Sequence, residues 1–93
     1  MNNEIKTANE TAIRDQIRQF VIGNFLLGDA SAMLKDDASF LESGTIDSTG
    51  VLEVVTFLEE AFGLTVDDLE LLPENLDSVE NLVRYVRNKK HAA

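Results

Sequence analysis

Apolar residues recur at helical intervals in three stretches of this chain. Ile13, Ile17, Phe20 and Val21 share one side of a segment from about Glu10 to Leu27, with Arg14, Asp15, Arg18 and Gln19 between them. Gly28 is the expected stop. Val51, Val54, Val55, Leu58 and Phe62 follow at i, i+3, i+4, i+7 and i+11 spacing, which predicts a second helix over Ser48–Phe62. Asp47 is its expected N-cap and Gly63 its C-cap. Leu76, Val79, Leu82, Val83 and Val86 mark a last helix opening at "DSVE", where Asp77 and Glu80 have the spacing of a capping box. Its end carries Arg84, Arg87, Lys89 and Lys90, cations that suit the C-terminal pole of the helix dipole.

The intervening segments are less regular. "LTVDDLELLPENL" has room for one short helical turn, Val66 to Leu71, which Pro73 is expected to stop. Gly28 to Ile46 forms a long connection, and a loop of that length needs anchors or a function. Met33, Leu34, Phe40, Leu41 and Ile46 are the expected anchors, with "DDASFLESG" read as turn residues around a buried Phe-Leu pair. No segment alternates as a strand does. The predicted fold is all-α: a four-helix bundle of three main helices and one short helix, with a long loop after the first. One domain is expected over 10–90, between a disordered segment at 1–9 and a flexible C-terminus at 91–93.

Composition narrows the chemistry. The 93 residues include no cysteine, so neither a disulfide framework nor a cysteine-based metal site is available. His91, the single histidine, stands beside Lys89 and Lys90 near the C-terminus, and a Ser-His-Asp triad has no usable base. The acidic pairs Asp36-Asp37 and Asp67-Asp68 lack the spaced oxygen ligands of an EF-hand loop. No catalytic residue and no metal site are expected. No apolar run is long enough to span a bilayer, and the polar N-terminus has no signal-peptide core. The expectation is a soluble, cytoplasmic monomer.

The formal net charge is −9, and its distribution is uneven. Between Lys35 and Arg84 there are thirteen acidic residues and no basic one. Such a field repels nucleic-acid phosphates and anionic membranes and attracts basic protein surfaces. An acidic surface also keeps a protein soluble, but solubility alone does not require an interval empty of Lys and Arg.

Within that interval, Ser48 opens the second predicted helix. Backbone amides at a helix start are unpaired and partly positive, a favourable place for a phosphodiester on the serine oxygen. Leu52 lies one turn below it on the same side. Asp-Ser before an apolar helix is also an ordinary capping sequence, and the pair recurs at Asp77-Ser78. The surrounding residues separate the two readings. "DASFLESGTIDS", "VLEVVTFLEEAFGL" and "LDSVENLVRYV" together resemble acyl carrier proteins over roughly Ile13 to Arg87.

That resemblance implies a carrier, not an enzyme. It implies that Ser48, with Asp47 beside it, carries 4′-phosphopantetheine transferred from coenzyme A by a phosphopantetheinyl transferase. Its thiol would hold acyl or aminoacyl groups as thioesters, chemistry that a chain without cysteine must import. Thr49, Leu52, Glu53, Thr56, Glu59 and Glu60 would form the face that docks on basic patches of loading ligases, transferases and downstream enzymes.

Two positions depart from the fatty-acid-type pattern. Thr49 replaces the usual Leu after the serine, and "DSTG" looks more like the "DSMG" of D-alanyl carrier proteins. Thr56 replaces an apolar contact residue. Both point to a specialised acyl or aminoacyl carrier. Gly50 has two readings: a frayed first turn that tolerates glycine, or a docking surface thinned beside Ser48. The alternative to a carrier is an unmodified acidic helical adaptor for a basic protein, in which Ser48 is only a residue near a cap.

Overall fold

The computed structural model describes residues 10–90 in full and the backbone course of 2–9, 91 and 92; the expectations for 1–9, for 91–93 and for His91 lie outside the fully described residues. Five helices run in the order α1 (Asn2–Phe25), α2 (Phe40–Ser43), α3 (Gly50–Phe62), α4 (Pro73–Leu76) and α5 (Val79–Ala92), with short 3-10 turns at Ala30–Ala32 and Asp68–Glu70. No strand occurs among the described residues. The three long helices are the three that periodicity predicts.

Each long helix buries one stripe. α1 contributes Ile13, Ile17, Val21 and Ile22, α3 contributes Val54 and Leu58, and α5 contributes Val79, Leu82, Val83, Tyr85 and Val86. Complete burial of such a side chain is worth about 1.5–3 kcal/mol, and this stripe rather than intrinsic propensity holds valine-rich α3 helical. Phe20 of α1 stacks on Phe57 of α3, with ring centroids 4.2 Å apart, and Phe57 meets Phe62 edge-on. Phe57 lies off the predicted apolar stripe. Its partner is 37 residues away, beyond the reach of local periodicity.

α1 runs antiparallel to α5. Arg14 bonds Glu80 at 2.7 Å while Arg87 reaches back to Glu10 at 3.3 Å. Arg14 also pairs with Asp36 at 2.9 Å, and Arg18 with the other oxygen of Asp36. The long connection is thereby fastened across the α1–α5 seam, and the amide of Glu80 donates to the Asp36 carbonyl. α3 and α5 run the same way, since Lys90 reaches the Phe62 carbonyl at their C-terminal ends.

Several local expectations are corrected. In the long connection Phe40, Ile46 and, partly, Met33 are buried, whereas Leu34 and Leu41 are 41% and 46% exposed. The expected buried Phe-Leu pair is therefore a buried Phe beside an outward Leu, because α2 turns successive residues to different sides. Pro73 starts α4 instead of stopping a helix, since a first-turn position needs no amide proton. α5 is capped by Ser78, whose hydroxyl accepts from the Asn81 amide, and not by an Asp77–Glu80 box. Glu80 turns to Arg14, and Asp77 turns to α2.

The end of α1 is unusual. The Gly28 amide closes on the Ile22 carbonyl at 2.8 Å, six residues back and one more than the long bond of a Schellman turn spans. The residue placed in the left-handed region before it is Leu27, at φ 55°, and its side chain is 97% exposed.

Candidate functional site

Ser48 sits between two buried anchors. Ile46 is 2% exposed and its amide donates to the Phe40 carbonyl. Gly50 is also buried, while Asp47, Ser48 and Thr49 between them are exposed. The chain thus rises to the surface for three residues, with Ser48 at the centre.

The helix start is built by Asp47. Its Oδ1 accepts from the Gly50 amide at 2.8 Å, the N-cap to N3 bond expected of a capping Asp. Regular hydrogen bonding begins at Gly50, two residues later than predicted, although Thr49 already has helical dihedrals and its carbonyl accepts from Leu52 at 3.3 Å. Ser48 therefore lies in the capped turn that leads into α3.

Gly50 is neither a frayed position nor part of the outer surface. A Cβ there would stand 2.8 Å from Ile46 Cγ2 and 2.9 Å from Phe25 Cε1. Glycine at this site lets the end of α1 and the loop before Ser48 close on α3. Both readings of Gly50 from sequence are replaced by this close approach.

Of the residues expected to dock partners, Thr49 just before α3 and Leu52, Glu53, Thr56 and Glu60 on it are all exposed, and Leu52 is 64% exposed. Thr56 donates its hydroxyl to the Leu52 carbonyl at 3.0 Å. Glu59 differs: it is half-buried, and its carboxylate accepts from the Val66 amide at 3.0 Å. It supports the connection after α3.

A cavity of about 220 Å³ opens directly beside Ser48. Phe40 and Leu41 of α2, Ile46, Val51 and Val54, and Leu71, Leu72, Pro73 and Leu76 around α4 supply an almost wholly apolar wall. Ser48 and Asp77 are the side chains with polar ends in the lining. Leu41, Leu71 and Leu72 stand at its rim, each more than a third exposed. Sequence reasoning made Leu41 a buried anchor and gave neither Leu71 nor Leu72 a place at a site. The one local signal was three leucines in the acidic run "DDLELLPE", with no helical stripe to absorb them.

The 3-10 turn before this rim is fixed from below. Glu70 Oε1 accepts from the Tyr85 hydroxyl and from Lys89, each at 2.9 Å, and from the Asp67 amide at 3.0 Å. These donors, Lys89 first, hold the Glu70 carboxyl below its ordinary pKa. Burial, reinforced by the Glu70 bond, pushes the Tyr85 phenol well above its ordinary value, so it stays a donor. No group of three or more His, Cys, Asp or Glu suited to a metal ion occurs among the described residues. No helix there is long and apolar enough to cross a membrane.

The family model for the phosphopantetheine attachment site matches residues 26–86. Among curated relatives, an acyl carrier protein of Nitratidesulfovibrio vulgaris (strain DSM 19637 / Miyazaki F) is 27% identical over 79 residues, 85% of this chain and 99% of the relative. An acyl carrier protein of Wolinella succinogenes is 32% identical over 79 residues, with the same coverage of both chains. One from Campylobacter hominis is 34% identical over 74 residues, 80% of this chain and 89% of the relative.

Proposed function

Because this chain belongs to the acyl carrier protein family, whose members carry 4′-phosphopantetheine and are not catalysts, we propose that Ser48 is its attachment residue. The observation that carries this reading is the serine's placement: exposed, in a capped helix start, and at the edge of the apolar cavity. Asp47 holds that start in shape through the Gly50 amide. The helix-start amides suit the anionic link that attachment creates on the serine oxygen.

The arm supplies a terminal thiol, on which acyl groups ride as thioesters. The chain's own residues then have two tasks. The first is shelter. The cavity wall from Phe40 to Leu76 suits an apolar acyl chain better than the charged aminoacyl group that "DSTG" suggests, since burying an unpaired charge there is costly. The second is recognition. A phosphopantetheinyl transferase and acyl-handling enzymes are the partners of a family carrier. Thr49, Leu52, Glu53, Thr56 and Glu60 offer them an apolar centre flanked by carboxylates, which suits basic docking patches. Glu59 adds charge to that field while its carboxylate stays bonded to Val66. The reading places the protein in the cytoplasm, with its transferase and coenzyme A. An unmodified adaptor is not favoured, because it gives the attachment-site match no role.

The test is intact mass after incubation with coenzyme A, magnesium and a broad-specificity phosphopantetheinyl transferase. Wild type should gain one phosphopantetheine. Ser48→Ala should gain none while keeping its stability within about 0.5 kcal/mol, as expected for an exposed residue without a structural bond. A mass gain retained in Ser48→Ala overturns the assignment.

A further inference from the structure

The cavity beside Ser48 has one wall that is not held by the core. α2 is only four residues long, and past Phe40 its residues Leu41, Glu42 and Ser43 are exposed. Apolar burial therefore fixes α2 at one point. Beyond the Ile46 amide bonded to the Phe40 carbonyl, its ties to the rest of the fold converge on one residue, Asp77, at the junction of α4 and α5. The Phe40 amide donates to the Asp77 carbonyl at 2.7 Å. The Leu41 amide donates to Asp77 Oδ1 at 3.0 Å. The Ser39 hydroxyl donates to Asp77 Oδ2. Ser39 is in turn the N-cap of α2, its oxygen accepting from the Glu42 amide at 3.1 Å.

Asp77 also stands in the cavity lining, as do Phe40 and Leu41 of the helix it holds. The opposite wall, α3, is fixed by the buried Val54 and Leu58. Widening the cavity on the α2 side thus requires those bonds to Asp77 to yield. Two of the three depend on its carboxylate, and bonds to a charged acceptor are stronger than neutral ones.

We propose that Asp77 is a size-determining residue: its carboxylate latches α2 against the α4–α5 junction and so sets the bulk of acyl chain that the cavity shelters. This rests on the reading of that cavity as the acyl-chain site. Asp77 acts through α2 and is a positioning residue. With the latch intact the cavity keeps its resting width and shelters short chains. With the latch lost, α2 swings about Phe40 and longer chains are admitted.

The experiment has two arms, on wild type, Asp77→Ala, Asp77→Asn and Ser39→Ala. The first is hydrogen–deuterium exchange of the unmodified proteins, which needs no loading. Asp77→Ala should speed exchange of the Leu41, Glu42 and Ser43 amides roughly tenfold or more, while α1 and α5 core amides keep their protection. Asp77→Asn should stay near wild type, since its amide oxygen still accepts from Leu41 and its nitrogen can donate to Ser39. Ser39→Ala removes one of the two carboxylate bonds without touching Asp77; because it also removes the cap on the Glu42 amide, it is read at Leu41 and Ser43, where it should give a smaller rise. It also covers the case in which Asp77→Ala fails to fold.

The second arm loads each protein with butanoyl, octanoyl and dodecanoyl phosphopantetheine and follows thioester hydrolysis by intact mass. In wild type the dodecanoyl thioester should hydrolyse faster than the butanoyl one. Asp77→Ala should narrow that ratio, and Asp77→Asn should restore it. Unchanged α2 exchange in both Asp77→Ala and Ser39→Ala overturns the latch. Released α2 amides with an unchanged chain-length ratio overturn the size-determining role. Failure of wild type to load is read on the first step alone: it counts against the attachment reading and removes the size role with it, while the exchange arm still decides the latch.

Discussion

Gly50→Ala isolates the packing that lifts Ser48 to the surface. In a helix interior the change stabilises by about 0.5–1 kcal/mol, through lower unfolded-state entropy and better helix propensity, with less gain in a first turn. Here the added methyl meets Ile46 Cγ2 at 2.8 Å and Phe25 Cε1 at 2.9 Å. Neither neighbour is the loose end of a flexible chain. Ile46 is 2% exposed, and Phe25 is held edge-on against Phe20. Overpacking of this kind costs about 1–3 kcal/mol. The overpacking term wins, and the net loss should be about 1 kcal/mol, or roughly 4–8 °C in Tm for a domain this small. Urea unfolding of wild type and variant measures it, with the slope held constant. Phe25→Leu in the same background opens space beside the new methyl, so the double mutant should lose less than the sum of the singles by at least about 0.5 kcal/mol. Because Ile46 and Gly50 flank Ser48, Gly50→Ala should also slow phosphopantetheine transfer. A variant as stable as wild type, with no coupling to Phe25, would refute the close-approach account.

Features outside the site give two further outcomes. Leu27→Gly removes a left-handed backbone strain worth about 1–2 kcal/mol and gives back about 0.5–1 kcal/mol of unfolded-state entropy. With Leu27 97% exposed no burial is lost, so a small net stabilisation should appear as a higher urea midpoint. A lower midpoint would mean that Leu27 contributes contacts the fold depends on. Glu80 titrates below the ordinary glutamate value of 4.5, chiefly through its bond to Arg14, so that contact stabilises fully above this value and fades as pH falls through the lowered one. Arg14→Gln should therefore flatten the fall in urea midpoint between about pH 5 and pH 3, and parallel curves for both proteins would exclude the contact as a source of acid sensitivity.

The long helices are visible in the sequence because each buries a stripe that periodicity can find. The features that escape lie at shorter or longer range than that signal. α2 and α4 are four residues each, too brief to show a period. Pro73 can end one helix or begin another, and the four residues of α4 are too few to decide between them. The role of Gly50 depends on Phe25, far away in sequence, and the Asp77 bonds reach back 36 and 38 residues to Leu41 and Ser39. Asp77 and Ser78 are both good capping residues, and only the tertiary pull of α2 on Asp77 decides that Ser78 caps α5. Ser48 stands out through family resemblance over the whole motif set, whereas its position beside a cavity needs the assembled walls.

The parallel course of α3 and α5 has an electrical consequence. α5 is 14 residues long, about 21 Å at 1.5 Å per residue, and its cations gather at the end away from Leu76, Asp77 and hence Ser48. There Lys89 and Arg87 offset acidic neighbours, leaving that end mixed in sign. The Ser48 end carries Glu42, Asp47, Glu53, Glu74 and Asp77, with no basic residue among them. A chain with this lopsided charge feels torque as well as attraction near a positive surface. It turns while still apart, and the serine end arrives first. Added salt shortens the distance over which that turning begins, to about 8 Å at physiological ionic strength, so orientation is set in the last few water layers before contact.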